Sequence, residues 1–126
     1  MTIFHDSIHA YMAAINAMDP AAFAACFTED CELNDPVGAP PHVGRAGASG
    51  FLSGMMPLVE SVYIRPGKIQ LNGRVAAFPW AIEAKGRNGK WVAADGIDVI
   101  EFDESGKIRR TSAYWDIGSF IAVLTA

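Results

Sequence analysis

Three short turn signals divide the second half of the chain, and they constrain its fold more than any other feature. Asn72-Gly73 and Asn88-Gly89 are strong hairpin signals, because both residue types tolerate the positive φ angles of tight two-residue turns. Ser105-Gly106 is a third turn pair. The runs between the turns are rich in β-branched and aromatic residues and lie at 62–71, 75–84, 91–102 and 107–115. This pattern predicts a four-stranded antiparallel meander.

The first half carries helical periodicity instead. Apolar residues recur at the spacing of one helical face, at Phe4, Ile8, Tyr11, Met12 and Ile15. This spacing predicts a first helix, with Thr2 as its N-cap.

A second helix is predicted to start at Asp19-Pro20. Asp is a good N-cap, and Pro is favoured at the first helical position. We expect this helix to bury Phe23, Cys26 and Phe27 and to end about one residue later.

A short strand is expected at 31–34, a loop rich in Pro and Gly at 36–44, and a third helix from 45 to about 58. Helices followed by strands predict a single α+β domain over residues 1–126, with the helices packed on one face of a curved sheet. Such an arrangement can enclose a pocket between the helices and the sheet.

Composition and charge limit the function. Hydrophobic residues make up 51% of the chain and charged residues 19%, which supports a core and argues against disorder. The net charge is −4 and no run of Lys or Arg exceeds two residues, so we expect neither a nucleic-acid nor a membrane partner. Asp6 interrupts the apolar start, so no signal peptide is expected. The chain is therefore expected to be cytoplasmic, with Cys26 and Cys31 reduced.

Asp98 is the most informative single position. Alternate residues of a strand share a face, and the other members of the Asp98 face are all apolar: Val92, Ala94, Gly96, Ile100 and Phe102. If the register holds, Asp98 points into the interior, where burial raises the pKa of a carboxyl. Asp98 is then either a neutral acid that donates a hydrogen bond or a structural residue, paired with a buried Arg or placed at a strand twist.

Two other residues are weaker candidates on their own. Asp35 stands where the short strand meets the loop, and Asp-Pro is a common turn pair, so a structural role is the simpler interpretation. Tyr11 lies near the centre of the first helix's apolar face, where its hydroxyl needs a partner. That partner is either a backbone carbonyl or Asp98 across a pocket.

No metal or nucleotide cofactor is expected. His5 and His9 have i, i+4 spacing but lie away from the apolar face, and His42 is in the predicted loop. The sequence shows no Gly-rich phosphate loop, nucleophile elbow or zinc pattern.

Two of the three tryptophans, Trp80 and Trp115, lie on predicted strand faces with other candidate core residues. Trp80 shares a face with Phe78 and Ile82, and Trp115 shares one with Thr111. They form either plain core or a flat apolar wall for a flat apolar ligand, and the pattern fits both.

Two stretches of the sequence resemble the bacterial Δ5-3-ketosteroid isomerases. The first is NDPVG at 34–38, continuing through Pro40-Pro41 to Gly44-Arg45. The second is IDVIEFD at 97–103, continuing through GKI at 106–108 to AYW at 113–115. Tyr11 also falls where that family keeps its helix tyrosine. The blocks stand in the family's order at a similar separation, and the resemblance covers most of the chain.

The resemblance implies a fold, a reaction and an assembly. The fold is the cone shared with nuclear transport factor 2, with three N-terminal helices on a curved, mostly antiparallel sheet. The reaction moves a C=C bond into conjugation with a ketone, on an apolar substrate such as a steroid and without a cofactor. Asp35 is then the ionised general base, and Tyr11 and protonated Asp98 donate hydrogen bonds to the dienolate oxygen. The family works as a homodimer.

The same resemblance implies five substrate-binding residues, which are Trp115, Trp80, Phe27, Leu52 and Thr111. Phe27 and Leu52 stand where the best-known members carry two tyrosines that support the oxyanion tyrosine, so that hydroxyl network is missing here. Trp80 and Thr111 stand where the family's pocket has apolar residues, and Trp80 is the bulkier side chain, so the substrate need not be a steroid.

Two other hypotheses are open. One is a polyketide cyclase or dehydratase of this fold, which would often add a His–Asp pair, and only His42 could supply the histidine. An epoxide hydrolase of this fold would need an Asp-Arg-Asp set, and the sequence does not identify a buried Arg for it. A non-catalytic binder of an apolar ligand or partner chain is the third hypothesis, and such a binder has no need of two buried carboxyls.

Overall fold

The computed structural model describes residues 2–126, which form four α-helices and seven strands. Helix α1 (Ile3–Asn16) begins where the sequence predicts, because the Thr2 hydroxyl accepts hydrogen bonds from two backbone N–H groups of the first turn. At its other end, the Asn16 side chain donates to the Ile64 carbonyl and accepts from the Ile64 N–H. These two bonds fix α1 against the sheet.

Helix α2 (Pro20–Ala25) begins at the predicted cap, since the Asp19 carboxylate accepts from the backbone N–H of Ala22. Its predicted end is wrong. Phe27 is not helical but opens strand β1 (Phe27–Asn34), and Cys26 is the half-buried C-cap. The reason is a distant partner, because the start of β1 pairs with Ile108.

The third predicted helix is present but ends earlier than predicted, and the predicted loop contains a short strand. Helix α3 (Gly44–Met55) is followed by a turn of 3₁₀-helix at Met56–Leu58. Within the predicted loop, β2 (His42–Val43) forms a short antiparallel pair with β1.

The second half forms most of a seven-stranded sheet. Its remaining strands are β3 (Val59–Pro66), β4 (Gln70–Asn72), β5 (Val75–Gly86), β6 (Trp91–Phe102) and β7 (Ile108–Tyr114). The strand order is β2-β1-β7-β6-β5-β3, with β4 paired to β5. All pairs are antiparallel except β1 with β7, which is parallel. The predicted α+β fold with a mostly antiparallel sheet is confirmed.

The predicted turns are confirmed, but one predicted strand is divided. Gly73, Gly89 and Gly106 all have positive φ angles, as the turn signals require. The run at 62–71 becomes β3 and β4, because the chain leaves the ladder after Pro66, which has no N–H to donate.

Helix α4 (Ile117–Leu124) is an addition to the three predicted helices. Asp116 caps it by accepting from the backbone N–H of Ser119 at 3.0 Å, and Phe120 and Leu124 are buried in the core. None of the helices within residues 2–126 is long and apolar enough to cross a membrane.

Candidate active site

The helices and the inner face of the sheet enclose an apolar cavity of about 670 Å³, counting the space at its opening. Its ionisable lining groups are Tyr11, Asp35 and Asp98, and no Lys, Arg or His lines it within residues 2–126. The two carboxyls therefore share a low-dielectric space without a cationic partner, which disfavours their ionised forms.

Asp98 lies on the inner face of β6, as strand alternation predicts, and is 2% exposed. Its Oδ1 accepts a hydrogen bond of 2.8 Å from the indole Nε1 of Trp80. Burial raises the Asp98 pKa to about 8, the charge of Asp35 adds to the rise, and the Trp80 hydrogen bond opposes it. At neutral pH Asp98 is therefore mainly protonated and able to donate a hydrogen bond.

Asp35 follows directly after β1, and Trp115 follows directly after β7, the parallel neighbour of β1. This pairing brings the two residues together, and the Trp115 indole Nε1 donates to Asp35 Oδ1 at 2.7 Å. Part of the residue is exposed, yet burial of its carboxyl raises the Asp35 pKa to about 6, against the opposing effect of the Trp115 hydrogen bond. At neutral pH Asp35 is therefore mainly ionised, in contrast to Asp98.

Tyr11 reaches the cavity from α1 and is 2% exposed. Its ring packs against those of Phe23 and Phe27, with centroids 5.2 and 6.0 Å away. Burial, followed by the charges of Asp98 and Asp35, raises the Tyr11 pKa well above its usual value, so the phenol stays protonated. Within residues 2–126 no side chain or backbone group hydrogen-bonds to its hydroxyl, which leaves it to a ligand.

The predicted site residues separate into two groups. Leu52, Trp80 and Trp115 line the cavity together with the three ionisable residues. Phe27 and Thr111 do not line it, because both side chains are fully buried behind its wall. Phe27 supports the Tyr11 ring, and the Thr111 hydroxyl has no hydrogen-bond partner within residues 2–126.

Sequence reasoning missed part of the wall. The additional lining residues include three methionines, which are Met18 in the turn after α1, Met55 at the end of α3 and Met56 in the 3₁₀ turn that follows. Met side chains are flexible and polarisable, so this wall can adapt to apolar ligands of different shape. Phe120, from the unpredicted α4, also lines the cavity.

No metal site is evident in the part of the chain that the structure describes, since no group of three His, Cys, Asp or Glu side chains is placed to hold an ion. His42 lies on β2, where its ring packs against that of Phe51 with centroids 5.1 Å apart.

This fold and cavity define the class of NTF2-like proteins. Residues 8–111 match the SnoaL-like domain, and the chain belongs to that family. A steroid Δ-isomerase from Nocardioides simplex is 32% identical over 114 residues, which cover 88% of each chain. The resemblance to the ketosteroid isomerases is thereby confirmed.

Many solved structures share the fold, among them the two that follow. The epoxide hydrolase/cyclase-like enzyme SalBIII, which has a role in pyran ring formation in the polyether salinomycin, is 25% identical, with a TM-score of 0.80 over 91% of this chain and 92% of its own. An NTF2-like protein of unknown function from Burkholderia pseudomallei is 14% identical, with a TM-score of 0.86 over 100% of both chains.

Proposed function

We propose that the chain is an isomerase that moves a C=C bond into conjugation with the ketone of an apolar substrate. The observation that carries this proposal is that two carboxyls line one apolar cavity without a cationic partner. Their environments separate their pKa values, to about 6 for Asp35 and about 8 for Asp98. Near neutral pH one is a base and the other an acid, which is the combination that enolisation of a ketone needs.

In this mechanism Asp35 removes a proton from the carbon between the ketone and the alkene. The electrons move onto the ketone oxygen to give a dienolate, and Asp35 returns the proton to the far end of the conjugated system. Tyr11 and protonated Asp98 donate hydrogen bonds to the dienolate oxygen. These donors act strongly because the apolar wall excludes water, and neither must be reoriented as charge develops.

The lining also supports the substrate class. Away from the two carboxyls and Tyr11, the wall is made of aliphatic, methionine and aromatic side chains. An anionic substrate would find no cationic partner there, and the rest of the wall is apolar, so we infer a mostly apolar ketone without negative charge, of which a steroid is one example. The steroid Δ-isomerase relative supports the same class.

A second candidate is an acid–base cyclase that opens an epoxide, and the likeness to SalBIII favours it. Asp98 would protonate the epoxide oxygen while Asp35 removes a proton from the attacking hydroxyl. A hydrolase with an Asp-Arg-Asp set is disfavoured, because no Arg lines the cavity within residues 2–126.

The test is an ultraviolet assay with 5-androstene-3,17-dione that follows the conjugated enone. We expect turnover by the wild type and a loss of about 10²- to 10⁴-fold in Asp35→Asn, which removes the base. Asp30→Asn, at an exposed position of β1, the strand that precedes Asp35, is the matched control and should keep full activity. An Asp35→Asn variant as active as the wild type would remove Asp35 from the mechanism.

Two further results separate the alternatives. Tight binding of equilenin without turnover would support the oxyanion site but not 5-androstene-3,17-dione as the substrate, and other ketones would then be assayed. If the protein shows no turnover and binds no equilenin, the steroid proposal is contradicted. An epoxy-alcohol substrate would then test the cyclase.

We also propose a homodimer formed through the outer face of the sheet. Ile97 and Tyr114 are register partners on that face, each 52% exposed, and Trp91 is 67% exposed on the same face of β6. Adjacent exposed apolar side chains of this kind mark interaction surfaces. Light scattering should give twice the chain mass of 13.5 kDa, and Ile97→Glu should return the mass to that of one chain.

A further inference from the structure

The indole of Trp80 occupies space that is free because Gly96, on the neighbouring strand, has no side chain. In the register of β5 and β6, Trp80 lies opposite Gly96, and Asp98 lies opposite Phe78. The indole therefore reaches its diagonal neighbour Asp98 by lying across Gly96. A Cβ atom at position 96 would stand 2.5 Å from Trp80 Cζ2 and 2.8 Å from Trp115 Cβ, closer than side chains pack. The Trp80–Asp98 hydrogen bond therefore requires glycine at position 96.

The hydrogen bond constrains where the Asp98 proton can be. An indole N–H only donates, and the carbonyl oxygen of a neutral carboxyl is a better acceptor than its hydroxyl oxygen, so the contact favours the form with the proton on the other oxygen. Trp80 faces Oδ1 at 2.8 Å, and no other hydrogen bond reaches this carboxyl within residues 2–126. In the favoured form of the neutral acid the hydroxyl is then on Oδ2, the oxygen left for a ligand in the cavity that Asp98 lines.

We propose that Trp80 is a positioning residue for Asp98: its indole N–H holds Oδ1 as the acceptor and so presents the acid's O–H to the substrate oxygen from Oδ2. This proposal rests on the proposed function of Asp98 as a neutral donor. A free neutral carboxyl can carry its proton on either oxygen, and in one of the two forms the O–H points away from the substrate. Trp80 disfavours that unproductive form before the substrate binds.

Trp80 also adjusts the acid strength of Asp98. Its hydrogen bond opposes the rise in the Asp98 pKa that burial and the charge of Asp35 cause. Two other ionisable groups share the cavity with Asp98, Asp35 after β1 and Tyr11 on α1. The lining residues from β5 and α4 are Trp80, Ile82 and Phe120, none of which is ionised. Removing the Trp80 donor should therefore raise the Asp98 pKa further and make it a weaker donor.

The chain's three tryptophans allow a direct test by ¹H–¹⁵N spectroscopy of the indole N–H groups across a pH titration. We expect the Trp80 signal to shift with a midpoint near 8 and the Trp115 signal near 6, following the carboxyls they contact. The Trp91 indole is on the exposed face and should show neither transition. Asp98→Asn should abolish the Trp80 transition. A Trp80 signal that does not titrate, or that titrates unchanged in Asp98→Asn, would overturn the proposal.

Kinetics of Trp80→Phe supply the second readout. We expect kcat at neutral pH to fall about tenfold, as the loss of one hydrogen bond predicts, with a smaller change in KM. The alkaline limb of the pH–rate profile should move to higher pH. Trp115→Phe is the matched control and should move the acid limb instead, because its indole contacts Asp35. An alkaline limb that stays in place in Trp80→Phe would contradict the proposal.

The spectra need no substrate, so the two proposals can fail separately. A titrating Trp80 indole in a protein without isomerase activity would support the positioning contact and refute the reaction. Isomerase activity in a protein whose Trp80 indole signal does not titrate would refute the positioning role alone.

Discussion

Replacement of Asp98 by Asn should stabilise the protein by an amount that grows with pH. An amide has nearly the shape of a neutral carboxyl, its oxygen can accept from the Trp80 indole, and its NH₂ group can take the place of the acid's O–H. Near pH 4.5, where Asp98 is neutral in the folded protein, the two proteins should therefore have similar stability. The difference arises at higher pH, because only the carboxyl titrates.

The size of the effect follows from the pKa. Burial raises the Asp98 pKa from 3.8 to about 8, so between these values the folded protein holds a proton that the unfolded chain has released. Unfolding therefore releases a proton, and the free energy of unfolding falls by about 1.4 kcal/mol per pH unit. From about pH 4.5 to about pH 7.5, the wild type should lose about 4 kcal/mol relative to Asp98→Asn.

Urea unfolding at both pH values measures the difference directly, since the urea midpoint multiplied by its slope gives the free energy of unfolding. Asp35 also titrates in this range, but its contribution cancels because it is present in both proteins beside a neutral group. Asp95→Asn, at an exposed position on the opposite face of the same strand, is the matched control and should show a constant difference. A constant difference for Asp98→Asn as well would refute the reasoning that Asp98 is buried as an acid.

Three other results are expected. The pH profile of kcat/KM should be bell-shaped, rising near 6 as Asp35 ionises and falling near 8 as Asp98 loses its proton, and Asp98→Asn should flatten the alkaline limb alone. Tyr11→Phe should lower kcat, but by less than Asp35→Asn, because Asp98 still donates to the oxyanion; an equal loss in the steady-state assay would argue against two shared donors. Gly96→Ala should reduce the free energy of unfolding by about 1–3 kcal/mol in urea, since its Cβ collides with Trp80, and unchanged stability would contradict the packing described.

The parts of this fold that the sequence predicts are those encoded locally. Thr2 and Asp19 mark helix starts because a capping side chain acts within three residues of itself. Gly73 and Gly89 mark hairpins for the same reason. The inward direction of Asp98 also follows from a local rule, the alternation of side chains along a strand, and it needs only the polarity of the neighbours on its face.

The parts that the sequence does not predict depend on distant partners. Phe27 belongs to a strand because β7, about eighty residues further along the chain, pairs with it in parallel. Helix α4 is missed because Ile117, Ile121 and Val123 have strand propensity, and its burial against the sheet decides the outcome. The positions of Phe27 and Thr111 behind the cavity wall, rather than on it, likewise depend on how deep each strand lies.

The two carboxyls show how such long-range contacts determine chemistry. Asp35 and Asp98 line the same apolar cavity and each accepts one indole N–H, so their hydrogen bonds alone would give them similar acidities. Their exposure differs, because Asp98 lies on the buried inner face of β6, whereas residue Asp35 is partly exposed after the last residue of β1. In addition, the group that ionises first raises the pKa of the second by repulsion, and Asp35, with a pKa of about 6, ionises before Asp98. Loss of the Asp35 charge should therefore lower the pKa of Asp98, and the Trp80 indole signal in Asp35→Asn should titrate at a lower pH than in the wild type.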